Sequence, residues 1–258
     1  MSSNIKSRRF FLTNRGLRLW GIVLLAAGMI GRGIVQNELL NLGSMNAQQM
    51  IDAIQTDPHM LQYTSIAVLL QGIEACAAPI FAMLLVEGFV HTSNIKAYLT
   101  RVLIFAAVSE FPYNLMSSGR IFDLGYRNPA FALVLCLVMM LFYSNYSEKS
   151  MGSVMAKVVI TLGALGWAWL LKIQDGMPVI VMVAVLYAFR EDRKKQILFG
   201  AITSAACSLF SMYYIASPLG MLALGLYTGQ RGMAENKWAN YAAYPLLLLA
   251  VGIAAQYM

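Results

Sequence analysis

Glu87 and His91 stand four residues apart near the end of a long apolar run. A carboxylate one helical turn from an imidazole has a chemical use. If the helix continues to His91, the two side chains share a face and can hydrogen-bond. The carboxylate then raises the proton affinity of the ring and fixes its tautomer, as a general base requires. The same spacing fits a plainer arrangement, with His91 at a helix end and Glu87 paired with Arg101. Spacing alone leaves both open. Glu74, Arg101 and Glu110 also lie inside apolar runs, and Arg32 sits near the end of the first run. An ionisable group is costly in hydrocarbon, so each is a functional candidate. Pro112 follows Glu110 by two residues and frees the carbonyl of Val108 one turn back. Such a break either lines a polar cavity or is a simple kink.

Several chemistries have no carrier in this chain. It has no P-loop, no dinucleotide-binding glycine pattern, no HExxH and no serine nucleophile elbow. His59 and His91 are the only histidines, far apart and expected on opposite sides, so no two-histidine metal site is expected. Cys76, Cys136 and Cys207 each lie in an apolar run without metal-ligand or redox spacing, and read as small packing residues.

The elements that carry these groups follow from composition. Of 258 residues, 59% are hydrophobic and only 12% charged. Mean hydropathy is +0.63. A soluble chain carries about a quarter charged residues to cover its surface, so lipid must surround most of this one. In lipid every backbone N–H and C=O is paired within its segment or in a closed barrel. The apolar runs are long and lack the alternation of a barrel strand, which selects helices. The expectation is an all-α polytopic transmembrane bundle, one domain over residues 1–258, preceded by a basic cytoplasmic segment at 1–16.

The runs predict about nine spans, within a range of about eight to ten. They lie near 17–35, 61–90, 97–116, 129–146, 154–171, 177–189, 196–214, 217–227 and 238–257. The second is long enough to tilt or to kink at Pro79, and the eighth is short enough to be half-inserted. Residues 36–60 read as a polar, slightly acidic loop, with a short amphipathic helix around Met45, Met50, Ile51 and Ile54. Trp20, Trp169 and Trp238 fall near span ends, where interfacial anchors sit. The first run follows basic residues, as a signal peptide's does, but Arg32 and Asn37 come next without a small-x-small site. It is expected to remain as a span.

With the N-terminus inside, the inner segments hold Lys6, Arg8, Arg9, Arg15, Arg18, Lys96, Arg101, Lys149, Lys157, Arg190, Arg193, Lys194, Lys195, Arg231 and Lys237. Only Arg32, Arg120, Arg127 and Lys172 of the 19 basic residues fall outside. The positive-inside rule therefore predicts a cytoplasmic N-terminus and an external C-terminus. The net charge of +7 forms no aromatic-interleaved stripe, so anionic lipid headgroups, and no nucleic acid, are the expected partners.

The stretch APIFAMLLVEGFVHTSNIKAYLTRVLIFAAVSEFPYNL, residues 78–115, resembles the TraX family of bacterial membrane proteins. RNPAFALVLCL, DGMPVIVMVAVLYAFR and LYTGQRGMAENKWANYAAYPLLLL resemble it more loosely, in the same order along the chain. The resemblance implies N-terminal acetylation of conjugative pilin, or of another acyl acceptor, from acetyl-CoA, in the bacterial cytoplasmic membrane. It implies a membrane-embedded base that activates an acceptor amine or hydroxyl near a cytoplasmic coenzyme A site. His91, Glu87 and Glu110 take the catalytic positions under this reading. Lys96, Arg101 and Asn128 take the cofactor-binding ones, with Arg190 and Arg231 able to add to the basic patch. The chain departs from the family pattern where an Asp-His pair and a later His are usual. Gly28, Met29 and Leu247 stand there, and Asn114 replaces a family Asp. A thioether cannot shuttle a proton. Two other functions are therefore kept: a non-catalytic assembly or binding protein of the same fold, and a small transporter with Glu74, Glu87 and Glu110 along a path. Against the transporter, no repeated half with broken helices is visible.

Overall fold

A computed structural model describes residues 12–40, 45, 47–146, 148, 150–227 and 237–257, without the side chains of 38, 47 and 237–240. Lys6, Arg8, Arg9, Lys149 and Arg231, and the side chains of Lys237 and Trp238, lie outside the described residues. So does most of the basic segment 1–16. Among the described residues the chain is helical, with no strand beyond the isolated bridges Leu12–Tyr227 and Arg127–Ile173.

The helices are α1 (Asn14–Ile30), α2 (Ala47–Thr56), α3 (Pro58–Ala75), α4 (Ala77–His91), α5 (Ile95–Ser118) and α6 (Ala130–Tyr143). They continue with α7 (Met151–Leu170), α8 (Gly176–Ala188), α9 (Arg193–Ala206), α10 (Pro218–Gly225) and α11 (Lys237–Gln256). Three helical stretches, Asn14–Asn37, Pro58–His91 and Met151–Leu170, are long and apolar enough to cross a membrane. Shorter apolar helices accompany them, and the whole reads as a membrane protein.

Polar residues begin the helices where each run leaves the apolar zone. Thr13, Asp57, Asn94, Ser150 and Asp192 cap α1, α3, α5, α7 and α9, each side chain accepting a first-turn backbone N–H. Gly119 ends α5 in the left-handed conformation, φ 66°, where a side chain would be strained. At Asp192, hydrogen bonds from the N–H groups of Lys195 and Lys194 hold the carboxyl below the usual carboxylate range.

The long second run is two helices that meet at Cys76. Pro79 has no N–H for the carbonyl of Ala75, and its ring crowds that carbonyl, so the break falls one turn before the proline. Cys76 Sγ contacts the Ala216 carbonyl at 3.1 Å. Gly220 of α10 lies so close that any side chain there would overlap the Cys76 carbonyl. Two expectations change. The segment from 36 is not all loop, because α1 continues as a π-helix over Gly31–Leu39. Pro112 makes no break, since α5 runs through it, and Val108 faces outward at 54% exposure.

The chain runs back and forth between two ends of the bundle. At one end Leu12 N donates to Leu226 O at 3.0 Å, and Arg193 Nη2 donates to Leu224 O at 2.7 Å. The starts of α1 and α9 and the end of α10 therefore lie together. At the other, Arg127 N donates to Lys172 O at 3.0 Å and Gln174 N to Arg127 O at 2.9 Å, joining the α5–α6 and α7–α8 loops. The core sits around α8, whose Val179, Ile180, Met182, Val183, Leu186 and Tyr187 are buried among α4, α6, α7 and α9. By contrast α7 shows Val154, Val159, Leu162, Trp167 and Trp169 on the outside, as a lipid-facing helix should.

Candidate functional site

A cavity of about 810 Å³ runs inside the bundle between α1, α3, α4, α5 and α11. Its mouth lies at the Arg193 end of the molecule. Arg15 and Arg18 from the first turns of α1, Arg101 from α5, and Glu87, His91 and Ser93 from the end of α4 line it there. These residues meet because α1 and α5 begin where α4 ends. Arg101 leans over the Tyr98 ring at 6.0 Å from its centre. Arg18 donates to Asn14 Oδ1 at 2.7 Å.

His91 stands at the end of α4, as in the plainer of the two arrangements, but Glu87 takes neither expected partner. His91 Nδ1 meets the backbone carbonyl of Glu87 at 2.9 Å, not its carboxylate, and the ring is exposed. The Glu87 carboxylate accepts instead from the hydroxyl of Tyr227. It does not pair with Arg101. Arg193 lies over the Tyr227 ring at 5.5 Å. Its Nη1 donates to Gln196 Oε1 at 2.9 Å, while Gln196, 2% exposed, donates to Leu186 O at 2.9 Å. Glu87, Tyr227, Arg193 and Gln196 thus form one network that joins α4, α9 and the segment just after α10. Tyr227 and Gln196 had no signal in the sequence, because a tyrosine at a span end reads as an interfacial anchor.

The floor of the cavity carries a second set of charges. Arg32 Nη2 donates to Glu74 Oε2 at 3.3 Å and lies 3.7 Å from Asp175 Oδ2. The three side chains keep 16%, 17% and 21% of their surface exposed, and all three line the cavity. Gly28 creates the room: a methyl group there would overlap the Glu74 side chain. Asp175 stands at the start of α8 with φ 54°, a conformation aspartate tolerates better than most residues. Gln71, Tyr214 and Tyr244 complete the floor. Arg32 and Glu74 were visible in the sequence as embedded charges. Their pairing was not, because 42 residues separate them. Arg18 and Arg32 are fourteen residues apart on one helix, so mouth and floor are separated by about 20 Å.

Glu110 and Asn128 belong to neither end of this cavity. Glu110 Oε1 accepts from Arg127 Nη1 at 3.1 Å, and its Oε2 accepts from the Asn128 backbone N–H at 3.1 Å and from Asn128 Nδ2 at 2.8 Å. Asn128 is fully buried, donates also to Ala106 O at 2.9 Å, and accepts from Ala130 N at 2.8 Å. Lys96 is exposed one turn before Arg101 and does not line the cavity. Of the six residues singled out beforehand, the fold brings Glu87, His91 and Arg101 to one mouth. It leaves Lys96 on the surface and sets Glu110 with Asn128 elsewhere. Arg190 lines a smaller adjoining cavity with Arg193 and stacks 4.2 Å above Tyr187.

In chemical terms the arrangement offers an anion-attracting entrance, an imidazole and a carboxylate beside it, and buried carboxylates at depth. A family model described as TraX protein matches residues 50–255. No curated protein and no solved structure matches the chain.

Proposed function

The chain belongs to the TraX family, and from that premise we propose that it is a membrane acetyltransferase that draws on acetyl-CoA and acts on pilin or a comparable acyl acceptor. The observation that carries this reading is one cavity with guanidinium groups at its mouth and carboxylates along its wall. Arg15, Arg18 and Arg101 meet the phosphates of coenzyme A there, with Lys96 adding charge outside. A thioester held below them reaches a base within the cavity. Glu87 with His91 is one carboxylate-bearing station for that base, and Glu74 is another. Glu110 and Asn128 hold the α5–α6 loop in this reading and touch neither ligand.

The mouth faces the cytoplasm, because the inner segments of a nine-span path carry most of the basic residues. The membrane is the bacterial cytoplasmic membrane, with coenzyme A supplied from the cell interior. Titration of coenzyme A into detergent-purified protein, wild type against Arg101→Ala, tests the reading. Saturable binding that weakens about tenfold or more in the variant supports it, since loss of a charged hydrogen-bonding partner costs about 1.5–3 kcal/mol. An absence of binding in both proteins rejects it.

A further inference from the structure

The floor of the cavity has what a reacting centre needs and what a purely structural ion pair lacks. Two carboxylates, Glu74 and Asp175, face one guanidinium, Arg32. The cluster therefore carries an excess negative charge in a poorly solvated place, which a proton or a cationic group relieves. Tyr214 is 4% exposed and lines the same cavity. A phenol in the cavity wall supplies a hydrogen-bond donor to whatever enters. Gly28 and the bend of the second run at Cys76 keep the space beside Glu74 clear. At the mouth, by contrast, Glu87 is already bonded by Tyr227, and His91 is turned to a backbone carbonyl.

We infer that Glu74, positioned by Arg32 and Asp175, is the base for acyl transfer, and that the thioester is delivered to the floor rather than to the mouth. The inference rests on the coenzyme A reading above. Mouth and floor lie about 20 Å apart, a distance comparable with the extended pantetheine arm. Phosphates held by Arg15, Arg18 and Arg101 thus leave the thioester beside Glu74. The carboxylate takes one proton from the acceptor's ammonium. The freed amine attacks the thioester carbonyl, and the carbon–nitrogen bond forms. Arg32 and the Tyr214 hydroxyl stabilise the developing oxyanion. The carbon–sulfur bond then breaks, and the departing thiolate takes the second nitrogen proton. Glu74 returns its proton to water through the cavity.

Two measurements test this. The first needs no acceptor. Ala78 lines the cavity one turn from Glu74, and Ser93 lines the mouth. Purified Ala78→Cys and Ser93→Cys proteins are incubated with coenzyme A disulfide, with wild type giving the background from the three buried cysteines, and are weighed by mass spectrometry. Capture of coenzyme A at position 78 is the expected result. Capture at 93 alone places the thiol at the mouth and overturns the inference while leaving the coenzyme A reading intact. Capture at neither position, together with absent titratable binding, rejects both.

The second follows thiol release from acetyl-CoA with a short alkylamine as acceptor. Glu74→Gln is expected to keep coenzyme A affinity within about twofold and to lose release by about a hundredfold or more. Glu74→Asp is expected to restore part of it with a shifted pH profile. Retained affinity shows that the variant is folded. Full release by Glu74→Gln overturns the inference.

Discussion

Glu110 and Glu74 are both partly buried glutamates set against an arginine, yet their surroundings are opposite. Glu110 receives three hydrogen bonds, from Arg127 and twice from Asn128, and does not line the central cavity. Glu74 receives one hydrogen bond, from Arg32, shares that guanidinium with Asp175, and opens onto the 810 Å³ cavity. A carboxylate whose lone pairs are filled by protein donors fixes structure. One left with unfilled lone pairs beside a cavity is available to a ligand or a proton. The two sites are also neighbours in the chain's course, because the backbone of Arg127 is bonded to the loop that ends at Asp175.

The comparison is broken most severely by Glu110→Ala. It strands two donors of the buried Asn128 and frees the partly exposed Arg127, and is expected to cost about 3 kcal/mol. Thermal unfolding in detergent measures it, and an unchanged midpoint would show that the network is not structural. Gly28→Ala should come next, because the added methyl overlaps Glu74. Overpacking of this kind costs about 1–3 kcal/mol. Gly163→Ala on α7, with nothing within 4 Å of the new methyl, should instead stabilise by about 0.5–1 kcal/mol. If both glycine variants shift the midpoint alike, the tight approach at Gly28 is not real.

Glu74→Gln sharpens the contrast from the other side. It removes one of two negative charges that share a single guanidinium, so stability should change by less than about 1 kcal/mol, against a clear loss for Glu110→Gln. Differential scanning of the two variants side by side decides. The smallest effect belongs to a third carboxylate, the half-exposed cap Asp192. Its folded-state value lies below the ordinary 3.8. Its contribution is therefore present above 3.8 and lost as pH falls through the folded value. Asp192→Ala should flatten slightly the acid limb of stability against pH, and should leave the neutral region with only the loss of a helix cap.

How much of this was legible beforehand depends on the range of the interaction concerned. The helices follow from apolar runs, whereas their exact starts are set by caps such as Asn94 and Asp192, whose partners lie two or three residues away and which the runs alone do not mark. The same local logic places the bend near Pro79. Partners across the bundle carry no local mark. Arg32 finds Glu74 and Asp175 only because α1 packs on α3 and the α7–α8 loop reaches the cavity. Glu87 finds Tyr227 across 140 residues. Gly28 reads as an ordinary small residue until the side chain it admits is known. Helical spacing put Glu87 and His91 on one face, as found, but did not fix which oxygen the ring would meet. The backbone carbonyl at a helix end is the nearer unfilled acceptor, and it wins.

The central position of α8 bears on how the molecule is made. At thirteen residues, about 20 Å long, it falls short of the roughly 30 Å hydrocarbon layer. Alone in a bilayer it would be a poor guest. Of its four neighbours, α4, α6 and α7 are synthesised before it and only α9 after. The ribosome thus delivers α8 into a socket that already exists, and chain order itself becomes part of the folding instruction. A permuted chain in which α8 emerges first should fail to insert, although every final contact would be unchanged.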